Sequence, residues 1–236
     1  MTGGVGTLLG IGVGPGAPDL LTLRAARLIE GAGVVAFPAL AGAPSLARAI
    51  AGAHIRAGTE EIIVDLPMTQ AREPAQAAYD RGAARIAERL GEGLDVACLC
   101  EGDPMFYGSF MYLMARLGPR FPVEVVPGVT SVAAASALAR LPLGARAGRI
   151  AVLPATLPDE ALRAGIEAHE AVALLKLGRH LPRVRALLAS LGLTERATFV
   201  ARATLPGEAV LPLAEAPAEA PYFSLLLISR EADPWL

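Results

Sequence analysis

The sequence predicts an α/β protein of two consecutive domains, each built on a mostly parallel sheet, with a cleft between them. Three observations carry this expectation. Apolar runs of strand length alternate with amphipathic runs of helix length, the pattern of strands joined by crossover helices. The strand runs are apolar at nearly every position, as strands buried on both faces are. A stretch rich in Gly, Pro and Ala, Leu141 to Gly148, separates two such alternations and reads as a linker. The expected domains are therefore residues 1–143 and 144–236.

In the first domain Thr7 to Val13 reads as a strand, followed by a helix over Asp19 to Glu30. Gly33 to Phe37 and Ile62 to Leu66 read as the next strands. A long helix over Glu73 to Leu90 carries Ala75, Tyr79, Ala83, Ile86 and Leu90 on one face, with Pro74 in its first turn, where proline is tolerated. Leu94 to Leu99 is a fourth strand. Beyond it Phe106, Phe110, Leu113, Met114 and Leu117 recur at helical spacing. Val123 to Val126 is a fifth strand, and Pro127-Gly128-Val129 opens an Ala-rich helix over Thr130 to Arg140. In the second domain Arg149 to Leu153, Ala171 to Leu175, Ala197 to Ala201 and Phe223 to Ser229 read as strands. Pro158 to Ala168 and Leu181 to Leu191 read as helices, the latter burying Leu181, Val184, Leu188 and Leu191.

Composition bounds the function. The chain has 236 residues, 53% of them hydrophobic and 19% charged, which excludes a disordered chain. The net charge is −2 with no basic face, so no nucleic-acid partner is expected. No apolar run reaches the ~18 residues of a spanning helix. No basic residue precedes Arg24, so no signal peptide and no membrane partner are expected, and the location is expected to be cytoplasmic. Cys98 and Cys100 are read as unpaired core thiols facing opposite sides of one strand. His54, His169 and His180 show no metal spacing, so no metal is expected. The apolar excess fits a homo-oligomer.

The chemistry concentrates where the fourth strand ends. Glu101-Gly102-Asp103-Pro104 forms a tight loop at the carboxyl end of a buried strand, where open α/β sheets bind ligands. Asp103 there reads either as a ligand contact or as a helix N-cap. The Gly-rich start, Gly10 to Ala17, includes Gly12-x-Gly14-x-x-Ala17, a loose dinucleotide pattern. Pro15 and Pro18 each remove a donor the pyrophosphate would need. The second strand ends Ala36-Phe37-Pro38-Ala39, without the acid that would hold a ribose. The turn then serves close packing of helix on strand.

Taken in order, Gly12-Val13-Gly14-Pro15-Gly16 with Leu20-Leu21-Thr22, then Gly102-Asp103-Pro104, then Val126-Pro127-Gly128-Val129-Thr130-Ser131, the chain resembles the tetrapyrrole methylases. These transfer a methyl group from S-adenosylmethionine to porphyrin- or corrin-type rings. The resemblance runs from residue 7 to the C-terminus. Within the family it is similar to the branch that methylates precorrin-2, metal-free or cobalt-loaded, at C20. That similarity rests on Cys100 to Pro104 with Phe106 to Tyr112, Leu66-Pro67-Met68-Thr69 with Arg72-Glu73-Pro74, and Lys176-Leu177-Gly178-Arg179. Arg202-Ala203-Thr204-Leu205-Pro206 and Pro221-Tyr222-Phe223-Ser224 add to it. The branch acting on uroporphyrinogen III carries an aspartate after the second strand, where this chain has Pro38.

The resemblance implies a cytoplasmic homodimer that binds S-adenosylmethionine through Pro15, Glu101, Gly102, Asp103, Phe106, Thr130, Ser131, Leu177 and Ala203. It implies a tetrapyrrole substrate rich in carboxylates. Tyr107, Lys176 and Arg179 are the substrate candidates, with Arg24, Arg72 and Arg140 as further cations. The catalytic base is not assigned, with Tyr107 and Glu101 nearest the loop. A sister activity at another ring carbon and a non-catalytic binding protein are the alternatives.

Overall fold

The structure, a computed structural model, describes residues 4–67 and 71–230; Met68 and Thr69 of the Leu66–Thr69 motif lie outside them. It divides into two compact units, Met1–Thr130 and Ser131–Leu236.

The first unit contains β1 (Leu8–Gly12), α1 (Leu23–Gly31), β2 (Val34–Leu40), α2 (Leu46–Ala51), β3 (Glu60–Leu66), α3 (Arg72–Gly91), β4 (Val96–Cys100), α4 (Phe110–Leu117) and β5 (Val123–Val126). Its strands form one parallel sheet in the order β3-β2-β4-β1-β5. Alternate residues face two different apolar clusters, as the two-residue period of a strand requires. Leu8, Val34, Ala36, Ile62, Val96 and Cys98 pack with α3 and α4. Leu9, Ile11, Val35, Phe37, Ala97 and Leu99 pack with α1 and α2. Cys98 and Cys100 share the first of these faces, opposite to the sequence expectation, because residues two apart on a strand point the same way. Both are buried and free.

Several local expectations are adjusted by turn chemistry. The helix expected over Asp19 to Glu30 is split into a single turn, Pro18–Leu20, and α1. Thr22 takes extended backbone there and accepts a bond from Ala25 N at 3.1 Å, so the helix starts after it. α4 begins at Phe110, not at Phe106, which sits exposed in the preceding loop. α2 was not foreseen. Its six residues follow Ser45, which accepts from Arg48 N at 3.4 Å. β2 runs through Pro38, since its pairing with β4 ends at Ala36 and the missing N–H falls where β3 alone is the partner.

The second unit contains α5 (Ser131–Ala139), β6 (Ile150–Pro154), α6 (Asp159–Glu167), β7 (Ala171–Leu175), α7 (Leu181–Ser190), β8 (Ala197–Ala201), β9 (Ala209–Pro212) and β10 (Ser224–Ser229). Its sheet order is β6-β7-β10-β8-β9, and it is mixed, not mostly parallel. Only β6 and β7 pair in parallel; β10 runs antiparallel between β7 and β8, and β9 is antiparallel to β8. The loop from Arg202 to Glu208 is too short for a crossover helix, so the chain returns as β9, a strand the sequence reading missed. α6 and α7 cover one face of this sheet. On the other face Val132 and Ala135 of α5 join Ala173, Val200, Leu225 and Leu227. That packing sets α5 with the second sheet, whereas the reading at 143/144 grouped it with the first.

Candidate functional site

In the first unit the sequence candidates gather at the carboxyl ends of three neighbouring strands, β4, β1 and β5. The chain leaves β1 toward α1 on one face and leaves β4 toward α4 on the other, so strand order reverses between them. Open parallel sheets bind ligands at such a point.

Three loops meet there main chain to main chain. Gly14 N donates to Gly102 O at 3.2 Å and Gly102 N donates to Gly14 O at 2.7 Å, forming an isolated antiparallel bridge. Val13 N donates to Cys100 O at 3.0 Å. A Cβ on Gly128 would lie 2.1 Å from Gly102 O, and one on Gly12 would lie 2.6 Å from Gly128 N. No side chain fits between these strands of backbone. Gly102 also has φ +67, which L-residues rarely adopt. The bridge engages Gly14 N within the protein, in keeping with the dismissal of a pyrophosphate cradle at the Gly-rich start.

Asp103 joins two of the loops. Oδ1 accepts from Met105 N at 2.8 Å, an Asx turn, and Oδ2 accepts from Gly128 N at 3.0 Å. It does not cap α4, whose first turn lies beyond Ser109. The loop is tight: Phe106 N donates to Asp103 O at 3.3 Å, and a Cβ on Gly108 would meet Pro104 O at 2.5 Å. Tyr107 is held at φ 56, its ring edge-on to Phe106 with centroids 5.4 Å apart. Met105, Phe106, Tyr107 and, on α4, Tyr112 leave large apolar groups exposed. Pro15 is buried beside the bridge, while Thr130 after β5 is half-buried.

Glu101 turns to the α2 side of the sheet, as Leu99 does, and its Oε1 accepts from Ala47 N at 3.3 Å. Burial pushes its carboxyl above the ordinary value, against the opposing effect of its main-chain hydrogen bonds. Behind the loop, burial pushes the Tyr79 hydroxyl up to about 12, countered by its bond to Ser109. Ser109 Oγ lies 3.8 Å from Cys100 Sγ, whose thiol burial also raises.

The second unit places its candidates on loops that follow β7 and β8, two strands that flank β10 and both run against it. Lys176 has φ 58 and is exposed, Leu177 is fully buried, and Arg179 is exposed. After β8, Arg202 and Thr204 hold φ 52 and φ 65 on either side of half-buried Ala203. Left-handed backbone at non-glycine residues costs about 1–3 kcal/mol each and gathers at functional loops. The residue types at these positions carry no signal of it. Ser131 is exposed at the first position of α5. Of the further cations, Arg24 is held by Glu124 at 2.7 Å. No group of His, Cys, Asp or Glu among the described residues could hold a metal ion. No helix among them is long and apolar enough to cross a membrane.

Residues 7–217 match the family described as Tetrapyrrole (Corrin/Porphyrin) Methylases. The chain is 40% identical to a precorrin-2 C(20)-methyltransferase of Sinorhizobium sp, over 98% of each protein. It is 34% identical to the cobalt-precorrin-2 C(20)-methyltransferase of Salmonella typhimurium, over 96% of this chain and 97% of that one. Among solved structures, uroporphyrin-III C-methyl transferase from Thermus thermophilus complexed with S-adenyl homocysteine is similar at 28% identity and a TM-score of 0.65. That likeness covers 95% of this chain and 97% of the other.

Proposed function

Since the chain belongs to the tetrapyrrole methylases, we propose that it transfers a methyl group from S-adenosylmethionine to C20 of precorrin-2, or of its cobalt complex, in cobalamin biosynthesis. The likeness to a precorrin-2 C(20)-methyltransferase along the whole of both proteins carries this reading. Its fit to the donor rests on the loops after β1, β4 and β5, whose main chains meet at Gly12, Gly102 and Gly128 at the carboxyl ends of the strands, where open parallel sheets bind ligands.

S-adenosylmethionine supplies, when bound, a methyl group already activated by the sulfonium charge. The protein's share is alignment and exclusion of water, for which proximity contributes up to about 7–11 kcal/mol in the best cases. Pro15, Glu101, Gly102, Asp103, Phe106 and Thr130 of the first unit, with Ser131, Leu177 and Ala203 of the second, are the residues we assign to the donor. Asp103 acts there by fixing the loop, since both its oxygens are taken by main-chain N–H groups. Lys176 and Arg179 pair with substrate carboxylates, and Tyr107 offers the ring an apolar face. Two free buried thiols suit a reducing compartment, and a cytoplasmic homodimer is the form we propose.

The test is anaerobic incubation of the protein with methyl-labelled S-adenosylmethionine and precorrin-2, in parallel with cobalt-precorrin-2. Label at C20 by NMR is the expected result, and the faster substrate assigns the metal state. Label at another carbon moves the chain to a sister activity. Donor binding without transfer to either ring refutes the substrate.

A further inference from the structure

We propose that Tyr222 and Phe223, just ahead of β10, form the aromatic face on which the second unit seats the tetrapyrrole; this rests on the methyltransferase reading above. Neither residue belongs to the set assigned to the donor. Their part is to bind the ring.

Position is the first argument. β10 runs antiparallel between β7 and β8, with Ser224 opposite Ala201 and Leu226 opposite Leu174. The chain therefore enters β10 at the sheet end where it leaves β7 for Lys176 and leaves β8 for Arg202. Neighbouring strands lie about 4.8 Å apart, so the three segments stand side by side across roughly 10 Å. Phe223 O accepts from Arg202 N at 2.7 Å, which ties the aromatic segment to the loop after β8.

Exposure is the second. Tyr222 is 86% exposed, more than any other large apolar side chain among the described residues, and Phe223 is 40% exposed. Their rings meet edge to face, with centroids 4.9 Å apart. One exposed ring is ordinary. Two that pack on each other and still face water form a patch that gains by being covered. The backbone beneath them is ordered. Ser224 Oγ donates to Pro221 O at 2.6 Å, and Ser224 N donates to Tyr222 O at 3.1 Å. In the loop alongside, Arg202 Nε donates to Pro206 O at 2.7 Å. Rings held in place before the ligand arrives lose less entropy when it binds.

The third argument is chemical. Lys176 and Arg179 are exposed on the adjoining loop after β7. Aromatic rings beside an ammonium and a guanidinium suit a flat apolar ring system rimmed by carboxylates. The apolar body meets the side-chain rings and the rim meets the cations. A two-fold contact with a second copy of this chain would instead bring these cations toward their own equivalents.

The experiment measures anaerobic binding of precorrin-2, by its absorbance change, to the protein saturated with S-adenosylhomocysteine. It compares the wild type, Tyr222→Ala and Tyr222→Phe. Tyr222→Ala should weaken precorrin-2 binding about tenfold, whereas Tyr222→Phe, which keeps the ring, should stay within about threefold of the wild type. Calorimetry should show the same affinity for S-adenosylhomocysteine in all three, and sedimentation the same oligomeric state. Unchanged precorrin-2 binding in Tyr222→Ala overturns the proposal. An equal loss of S-adenosylhomocysteine affinity gives the residue to the donor, and a changed oligomeric state gives it to a second copy; either result overturns the proposal too. A second readout needs no loss of function. In ¹³C-tyrosine-labelled protein the Tyr222 ring signal, assigned by its disappearance in Tyr222→Phe, should shift on adding precorrin-2 and not on adding S-adenosylhomocysteine alone. A signal unmoved by precorrin-2 overturns the proposal even if Tyr222→Ala folds poorly. Precorrin-2 bound by the wild type but not methylated refutes the activity and leaves this contact standing. Precorrin-2 not bound at all refutes both.

Discussion

Replacing Asp103 by alanine should loosen the first unit, because this side chain staples two of the loops that build the site. Two hydrogen bonds are lost, to Met105 N at 2.8 Å and to Gly128 N at 3.0 Å. A bond from a backbone N–H to a charged acceptor contributes about 1.5–3 kcal/mol. Met105 is exposed, so water replaces its lost partner and that bond adds little. Gly128 is half-buried and its donor is left poorly solvated, so most of the loss arises there. The expected sum is about 2–3 kcal/mol, which at roughly 2–4 °C per kcal/mol lowers the melting temperature by about 4–12 °C. Asp103→Asn distinguishes this staple from a simple polar contact. Both carboxylate oxygens accept, so an amide can satisfy one N–H and must turn its own NH2 toward the other. It should therefore lose at least about half as much stability as alanine. Thermal unfolding followed by circular dichroism measures both, with S-adenosylhomocysteine titrated in parallel to read the weakened site. Asparagine melting with the wild type, or alanine within about 1 °C of it, would refute the reasoning.

Gly10→Ala should cost about 1–3 kcal/mol by overpacking, since its Cβ would meet the Phe110 ring at 2.4 Å; urea unfolding of Gly10→Ala with and without Phe110→Leu should show partial rescue by the smaller side chain. Tyr79 is pushed up to about 12, whereas its hydroxyl in the unfolded chain titrates near 10. Its contribution to stability is thus complete below about pH 10 and is lost as pH rises toward 12, a loss that Tyr79→Phe removes in alkaline denaturation curves. Lys176→Ala and Arg179→Ala should raise KM for the tetrapyrrole about tenfold or more while leaving the affinity for S-adenosylhomocysteine unchanged, the mark of lost charge-assisted contacts to substrate carboxylates. Equal loss of both affinities by calorimetry would remove these cations from the substrate side.

Much of the fold was legible because buried strands and amphipathic helices write their periods into the chain. β5, β7 and β8 were read with the bounds the structure gives them. α2 was missed because six residues are too few to show a helical period, and β9 because four residues with alternating exposure look like a loop. The family motifs pointed to Glu101, Gly102 and Asp103 but not to what Asp103 binds, since Gly128 is far along the chain.

The sequence by itself determined the α/β class, the two alternations and the loops that carry the chemistry, all of which follow from local hydrophobic period and turn residues. Only the tertiary structure decided that Gly12, Gly102 and Gly128 meet, that Glu101 caps toward α2, that α5 packs on the second sheet and that this sheet is mixed. The physical reason is common to these. Each depends on which distant backbones come within contact, and one chain's periodicity carries no information about strand order or direction.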